Sequence, residues 1–276
     1  LVSACVFSTS RDGKKSDSES PETNAVRLDS EKKSDRKTDE KYEDKGDFKV
    51  ENVSITNSRY AALDRKVKDE KLLENAAEDL NRALKLPGDI TIRAQSCGVE
   101  NAEFDPNNNR ITICYELMER FYNLYRLEGL DEKKANEKMF DAIRFVFLHE
   151  VGHALIDNYK LPVTGNEEDA ADRCSSYINI EELGEKGVRA VLAAADAFRI
   201  DSRRSSPGKK DLADEHLLNE QRFYKSLCMI YGSDPSKYEY FVKEGYLPKE
   251  RAVRCPQEYQ RTVESWTSLL EPWRKS

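Results

Sequence analysis

Between Phe140 and Ile156 apolar side chains fall so densely that they cover most of a helix circumference: Phe140, Ile143, Val146, Phe147, Leu148, Val151, Ala154, Leu155 and Ile156. A helix apolar on nearly every side must be buried, so residues 132–157 are predicted to form the central element of a core. Residues 58–86 carry one apolar face, through Leu73, Ala77, Leu80 and Leu84, and stop at Pro87 and Gly88 as a helix should. The same periodicity places further helices over residues 115–127, 167–180, 186–200, 213–231 and 257–270. Two runs change period. Residues 89–94 read DITIRA and residues 110–114 read RITIC, alternating and β-branched, with the turn-rich DPNNN in the chain between them. They are expected to pair as a small antiparallel sheet. The prediction is an α+β domain, mainly α, with the sheet packed near the long helix.

Residues 8–47 lack this patterning. Ser, Lys, Asp and Glu dominate, with almost nothing apolar beyond Val26, Leu28 and Tyr42, so the segment cannot bury a core and reads as a disordered tether, a charged helix being the alternative. The expected organisation is a tether over residues 1–47 and a folded domain over residues 48–276. Acidic residues outnumber basic ones 52 to 45 and no basic stripe is interleaved with aromatics. Nucleic acid is therefore not an expected partner. No apolar run is long enough for a membrane-spanning helix, and there is no internal repeat. LVSAC at residues 1–5 matches the end of a bacterial lipoprotein signal, with Cys5 as the lipid acceptor; an ordinary terminal cysteine is the competing reading. A lipidated Cys5 followed by a hydrophilic tether would hold the domain away from a membrane surface.

Two of only three histidines lie inside the long apolar helix, in FVFLHEVGHALID. His149 and His153 are four residues apart, so a helix projects both rings from one face toward a single ion, with Glu150 between them. Burying two imidazoles and a carboxylate among apolar neighbours is costly unless they are paired or bound to metal. A core histidine pair satisfied by hydrogen bonds is the alternative. Gly152 sits between the rings, where it either allows close approach of another element or is simply tolerated.

A catalytic zinc usually takes three protein ligands and leaves the next position open. Downstream, NEEDAAD offers Asn166 as a helix N-cap and then Glu168 and Asp172, again four apart. Glu168 is the candidate third ligand, and Asp172 can accept the free ring N–H of a ligand histidine and so fix its tautomer. Glu167 reads more simply as a carboxylate favoured by the helix N-terminus.

HExxH followed by an ExxAD run resembles the gluzincin metallopeptidases. More narrowly, CGVENAEFDP, ITICYEL, HEVGHALID with LPVTG and EEDAAD, DEHLLNEQRFY and the terminal RCPQEY and SW resemble an uncharacterised bacterial metallopeptidase-like family over residues 89–270. The resemblance implies a zincin-like core holding one Zn2+ on His149, His153 and Glu168, with Asp172 behind a histidine. It also implies Glu150 as the general base that activates a zinc-bound water against a peptide bond. A substrate strand would pair with an exposed sheet edge, although which strand is the edge cannot be read from the sequence.

His216 is expected on a helix beginning near Asp211, where it could donate to the oxyanion formed during attack or serve no role at the site. Tyr177, Tyr224 and Arg222 are weaker candidates for the same task. Residues 202–211, SRRSSPGKKD, read as an exposed loop open to nicking.

Beyond Cys5 the cysteines are Cys97, Cys114, Cys174, Cys228 and Cys255. Cys97 and Cys114 flank the expected strand pair, and Cys228 and Cys255 bracket a loop-rich stretch, so these are predicted as two disulfides, with Cys174 a small buried residue. Five reduced thiols in a cytoplasmic protein would be the alternative. Two bridges point to an exported protein, periplasmic or at the cell surface. The expectation is a zinc metallopeptidase acting on a peptide or protein, exported and lipid-anchored. Against it stand a non-catalytic metal-containing surface lipoprotein that binds a protein partner and a zinc amidase acting on a non-peptide or cell-wall substrate.

Overall fold

The computed structural model describes residues 42–204 and 206–275. Cys5 and most of the expected tether lie outside the described residues. Residues 42–47 are stitched to the body: the Tyr42 ring meets Trp273 edge-on at 5.0 Å, and Lys45 N–H donates to the Leu86 carbonyl at 2.7 Å.

In chain order the elements are β1 (Phe48–Val50), a 3-10 turn (Ser58–Tyr60), α1 (Ala61–Asp69), α2 (Leu72–Ala83), β2 (Ile90–Gln95), β3 (Ala102–Asp105), β4 (Arg110–Cys114), α3 (Tyr115–Leu127) and α4 (Glu132–Tyr159). There follow α5 (Glu167–Tyr177), a π-helical turn (Ile178–Glu182), α6 (Leu183–Ser202), α7 (Lys209–Leu212), α8 (Asn219–Ser233), α9 (Tyr240–Lys243), α10 (Lys249–Ala252) and α11 (Cys255–Leu270). The fold is α+β and mainly helical, as the patterning predicts.

α4 is the hub. Its N-cap Asp131 accepts from Lys134 N–H, its C-cap Lys160 turns left-handed at φ 52°, and its flanks are covered by α3, α5 and α6 on one side and the sheet on another. One core gathers α4, α3, α2 and the sheet around Leu86, Ile92, Ile111, Tyr125 and Leu155, and a second joins α6, α8 and α11 around Val191, Phe223, Leu227 and Ile230.

The sheet differs from expectation. It has four strands in the order β1-β2-β4-β3, with β2 parallel to β4 (Ile92 opposite Ile111) rather than antiparallel. The reason is the unforeseen β3, which pairs antiparallel with β4 across residues 106–109 and leaves β4 to return beside β2 in the same direction. β3 is AEFD, four residues of which two are acidic, too short and too poor in strand formers to announce itself, and the three residues of β1 are too few to show a period.

The helix expected over residues 58–86 is also broken. Lys71 takes φ 50° between α1 and α2, and Leu84 leaves the helix as extended chain bridged to Arg274. Residues 213–218, expected to be helical, precede α8 as loop, because Asp214 Oδ1 accepts from His216 N–H and Gln221 Oε1 from Leu218 N–H. His216 is therefore not on a helix.

Both predicted disulfides are present. Cys97–Cys114 ties the loop after β2 to the end of β4, Cys228–Cys255 ties α8 to the start of α11, and Cys174 is a buried free thiol. Opening the 27-residue separation by replacing Cys228 and Cys255 with alanine is expected to cost about 3 to 4 kcal/mol. That should appear as a fall of roughly 10 °C in Tm. A Tm unchanged in the double variant would show that the second core needs no staple. Among the described residues no helix is long and apolar enough to cross a membrane.

Candidate metal centre

The site forms where α4 passes α5. Gly152 permits the crossing: a Cβ there would stand 3.1 Å from both Ala171 Cα and Cys174 Cβ, so the open alternative at this position resolves in favour of close approach. Asn166 caps α5 by accepting from Asp169 N–H, which fixes the start of the helix that carries Glu168 and Asp172.

Three side chains expected together do converge. His149 Nε2 lies 3.1 Å from His153 Nε2, Glu168 Oε2 is 3.1 Å from His149 Nε2, and Glu168 Oε1 is 3.4 Å from His153 Nε2. His216 joins them from the loop before α8, its Nε2 2.9 Å from Glu168 Oε2 and its ring stacked on His149 at 6.0 Å. One ligand atom each from His149, Glu168 and His216 lie within 4.8 Å of one another.

The outer partners decide what these atoms can be. His149 Nδ1 faces Asp172 Oδ1 at 2.9 Å, His153 Nδ1 faces Glu167 Oε1 at 2.8 Å, and His216 Nδ1 faces Asp214 Oδ1 at 3.1 Å. A neutral imidazole that donates Nδ1–H to a carboxylate has only a lone pair at Nε2. The centre then holds three inward lone pairs and the carboxylate of Glu168, acceptors with no donor among them. Glu168 Oε2 is buried and, although two ring nitrogens stand near it, neither meets it with hydrogen-bond alignment. Such a cluster calls for positive charge, from protons or from a metal, and its imidazole and carboxylate donors fit a divalent transition metal.

The demand for positive charge also shows in the acid–base behaviour. Burial alone would lower the His149 imidazole, but Asp172 and Glu168 outweigh it and raise it to about 9. Burial opposes ionisation of Glu168, yet its contacts with three imidazoles hold its carboxyl well below the usual range. A metal entering this cluster would displace those protons.

Behind His149, Asp172 is gripped by Arg222, whose Nε and guanidinium nitrogen donate at 2.8 and 2.7 Å. Both side chains are largely buried, 12% exposed for Arg222 and 15% for Asp172, and the guanidinium lies 4.1 Å from the Phe198 ring centre. Against burial, the Arg222 charge keeps the Asp172 carboxyl far below its ordinary value.

Glu150 lines a cleft of about 980 Å³ together with His149, His153, Glu168, His216 and β3. Glu150 is itself 6% exposed, and burial raises its carboxyl above the ordinary range. β3 is an edge strand on this cleft. Cys114 N–H donates to Asn101 O, and by antiparallel alternation the N–H and C=O groups of Ala102 and Phe104 point away from β4.

Of the weaker candidates, Arg222 serves Asp172 and does not face the cleft. Tyr177 is buried elsewhere, its hydroxyl 3.1 Å from Thr267 Oγ1 and accepting from Arg274, and Tyr224 packs on Phe223. Sequence reasoning passed over Glu167 and Asp214 as histidine partners and β3 as the cleft edge. Glu167 was visible as the neighbour of Glu168, whereas nothing local to Asp214 or β3 places them at the site.

No curated protein and no solved structure matches the chain. A family model, DUF4344, described as "Putative metallopeptidase", matches residues 53–270, spanning every residue of this centre and extending the likeness read over residues 89–270. The chain belongs to that family.

Proposed function

We propose that the chain is a zinc-dependent peptidase whose metal is held by His149, His153 and Glu168 and whose general base is Glu150. The observation that carries this reading is the inward set of imidazole nitrogens around Glu168, each ring backed by its own carboxylate. Bound zinc supplies Lewis acidity, bringing the pKa of a coordinated water to roughly 7 and polarising a carbonyl.

The rest falls to the chain. An extended peptide adds to β3 through the free backbone groups of Ala102 and Phe104, which hold the scissile carbonyl beside Glu150 while tolerating varied side chains. Glu150 takes a proton from the attacking water as the new C–O bond forms, then gives it to the amide nitrogen as the C–N bond breaks. Its raised carboxyl suits both halves of that transfer. Asp172, locked by Arg222, holds the His149 ring in orientation. The two disulfides support a location outside the reducing cytoplasm.

A second reading draws on His216. His149, Glu168 and His216 form one candidate ligand group and His153 approaches both His149 and Glu168, so four protein donors, the count of a closed structural site, would suit a metal-containing binding protein. A structural site has no use for a buried carboxylate facing a cleft, and Glu150 is one. A peptide library incubated with the zinc-loaded protein is expected to show cleavage that stops on chelation and returns with added zinc. Intact peptides throughout, with zinc bound, would favour the binding protein.

A further inference from the structure

His216 arrives at the metal centre on a segment unlike those that carry the other donors. His149 and His153 stand on the buried α4 and Glu168 on the capped α5, whereas residues 208–216 are exposed throughout, Leu212 included at 67%. The segment is held down at few points. Asn166 Nδ2 donates to the Glu215 carbonyl at 2.6 Å, and His216 Nε2 meets Glu168 at 2.9 Å. His216 itself is 48% exposed, against 4% for His149 and 14% for His153.

Its chemistry is nevertheless that of the two helical histidines. Nδ1 of His216 faces Asp214 as Nδ1 of His149 faces Asp172 and Nδ1 of His153 faces Glu167, so the neutral ring turns a lone pair at Nε2 toward the centre. A hydrogen-bond donor to an oxyanion would need its proton at Nε2. The carboxylate behind the ring favours the opposite tautomer.

We propose that His216 is a fourth, exchangeable protein ligand of the metal, delivered by residues 208–218, and that this segment gates the enzyme. With the segment seated, all four donors come from protein and the position needed for reaction is filled. Were the segment to lift, His216 Nε2 would withdraw and leave a position free for an oxygen of water or substrate, with His149, His153 and Glu168 still able to hold the ion. The gate rests on the metal centre proposed above. It explains how a site with four inward donors can also face a cleft of substrate size with a base in its wall.

The test uses the full chain, stripped of metal and titrated with Co2+, whose visible spectrum reports its ligands, alongside competition for Zn2+ by a chromophoric chelator. His216→Ala is expected to bind both ions about tenfold more weakly or worse and to alter the Co2+ spectrum. Asp214→Ala should move affinity in the same direction by a smaller factor. Because both residues are exposed, neither change should affect folding. Peptide cleavage by zinc-saturated His216→Ala should exceed wild type, since the competing ligand is gone; an equal rate would overturn the gate. Affinity and spectrum identical to wild type would overturn the gate and leave the three-ligand centre standing. A fall of about 10² to 10³ in rate with affinity unchanged would overturn it in favour of an oxyanion donor. Failure of the wild-type chain to take up either ion would overturn gate and centre together.

Discussion

Glu150→Gln should retain its zinc and lose peptide hydrolysis by about 10³-fold, within the range general acid–base groups contribute. The metal should stay because Glu150 is not among the converging donors: His149, His153 and Glu168 meet one another, and Glu150 is in none of those contacts. Glutamine preserves size and polarity, so the buried position remains filled, but an amide can neither accept the proton of the attacking water nor deliver it to the leaving nitrogen. Rates at saturating peptide, with metal content measured on the same sample, give the comparison. Wild-type rates in the variant would remove Glu150 from the chemistry and favour the metal-containing binding protein.

The second large effect concerns stability. Arg222→Met should destabilise the domain by about 3 to 5 kcal/mol, the usual penalty for leaving one member of a buried ion pair without its partner. Asp172 then keeps only the His149 ring, having lost both guanidinium hydrogen bonds. For a domain of this size the expected fall in Tm is on the order of 10 °C. Replacing both members, Arg222→Met with Asp172→Leu, should recover part of the loss, because no charge is left buried alone. Metal affinity should fall in both variants, since the His149 ring loses its anchored partner. A single variant as stable as wild type would mean that the pair is solvated in practice and Arg222 positions nothing.

What could be read from the sequence divides along physical lines. α4, its two histidines and Glu150, and the pair Glu168 and Asp172 on α5 were legible because helical periodicity is local: residues four apart share a face whatever the rest of the chain does. Asn166 as a cap and α3 at Tyr115–Leu127 follow from the same short-range rules. The direction of the strand pair was not legible, since it depends on β3, whose four residues carry one large apolar side chain. Nor was the break at Lys71, where the apolar face of residues 58–86 runs on across a left-handed residue. The position of His216 depends on two local hydrogen bonds that end the apparent helix early, and on contact with a residue 48 positions away in sequence. The partners of the histidine rings show the same contrast: Asp172 follows from spacing, while the pairing of Asp172 with Arg222 exists only once α8 has packed beside α5.

The direct test is elemental analysis of the purified chain after exposure to zinc and dialysis, with His149→Ala and Glu168→Ala treated alongside. About one zinc per chain in the wild type and almost none in either variant, each still folded, is the result expected if these side chains form one metal centre. Zinc retained undiminished in both variants, or absent from the wild type, would contradict it.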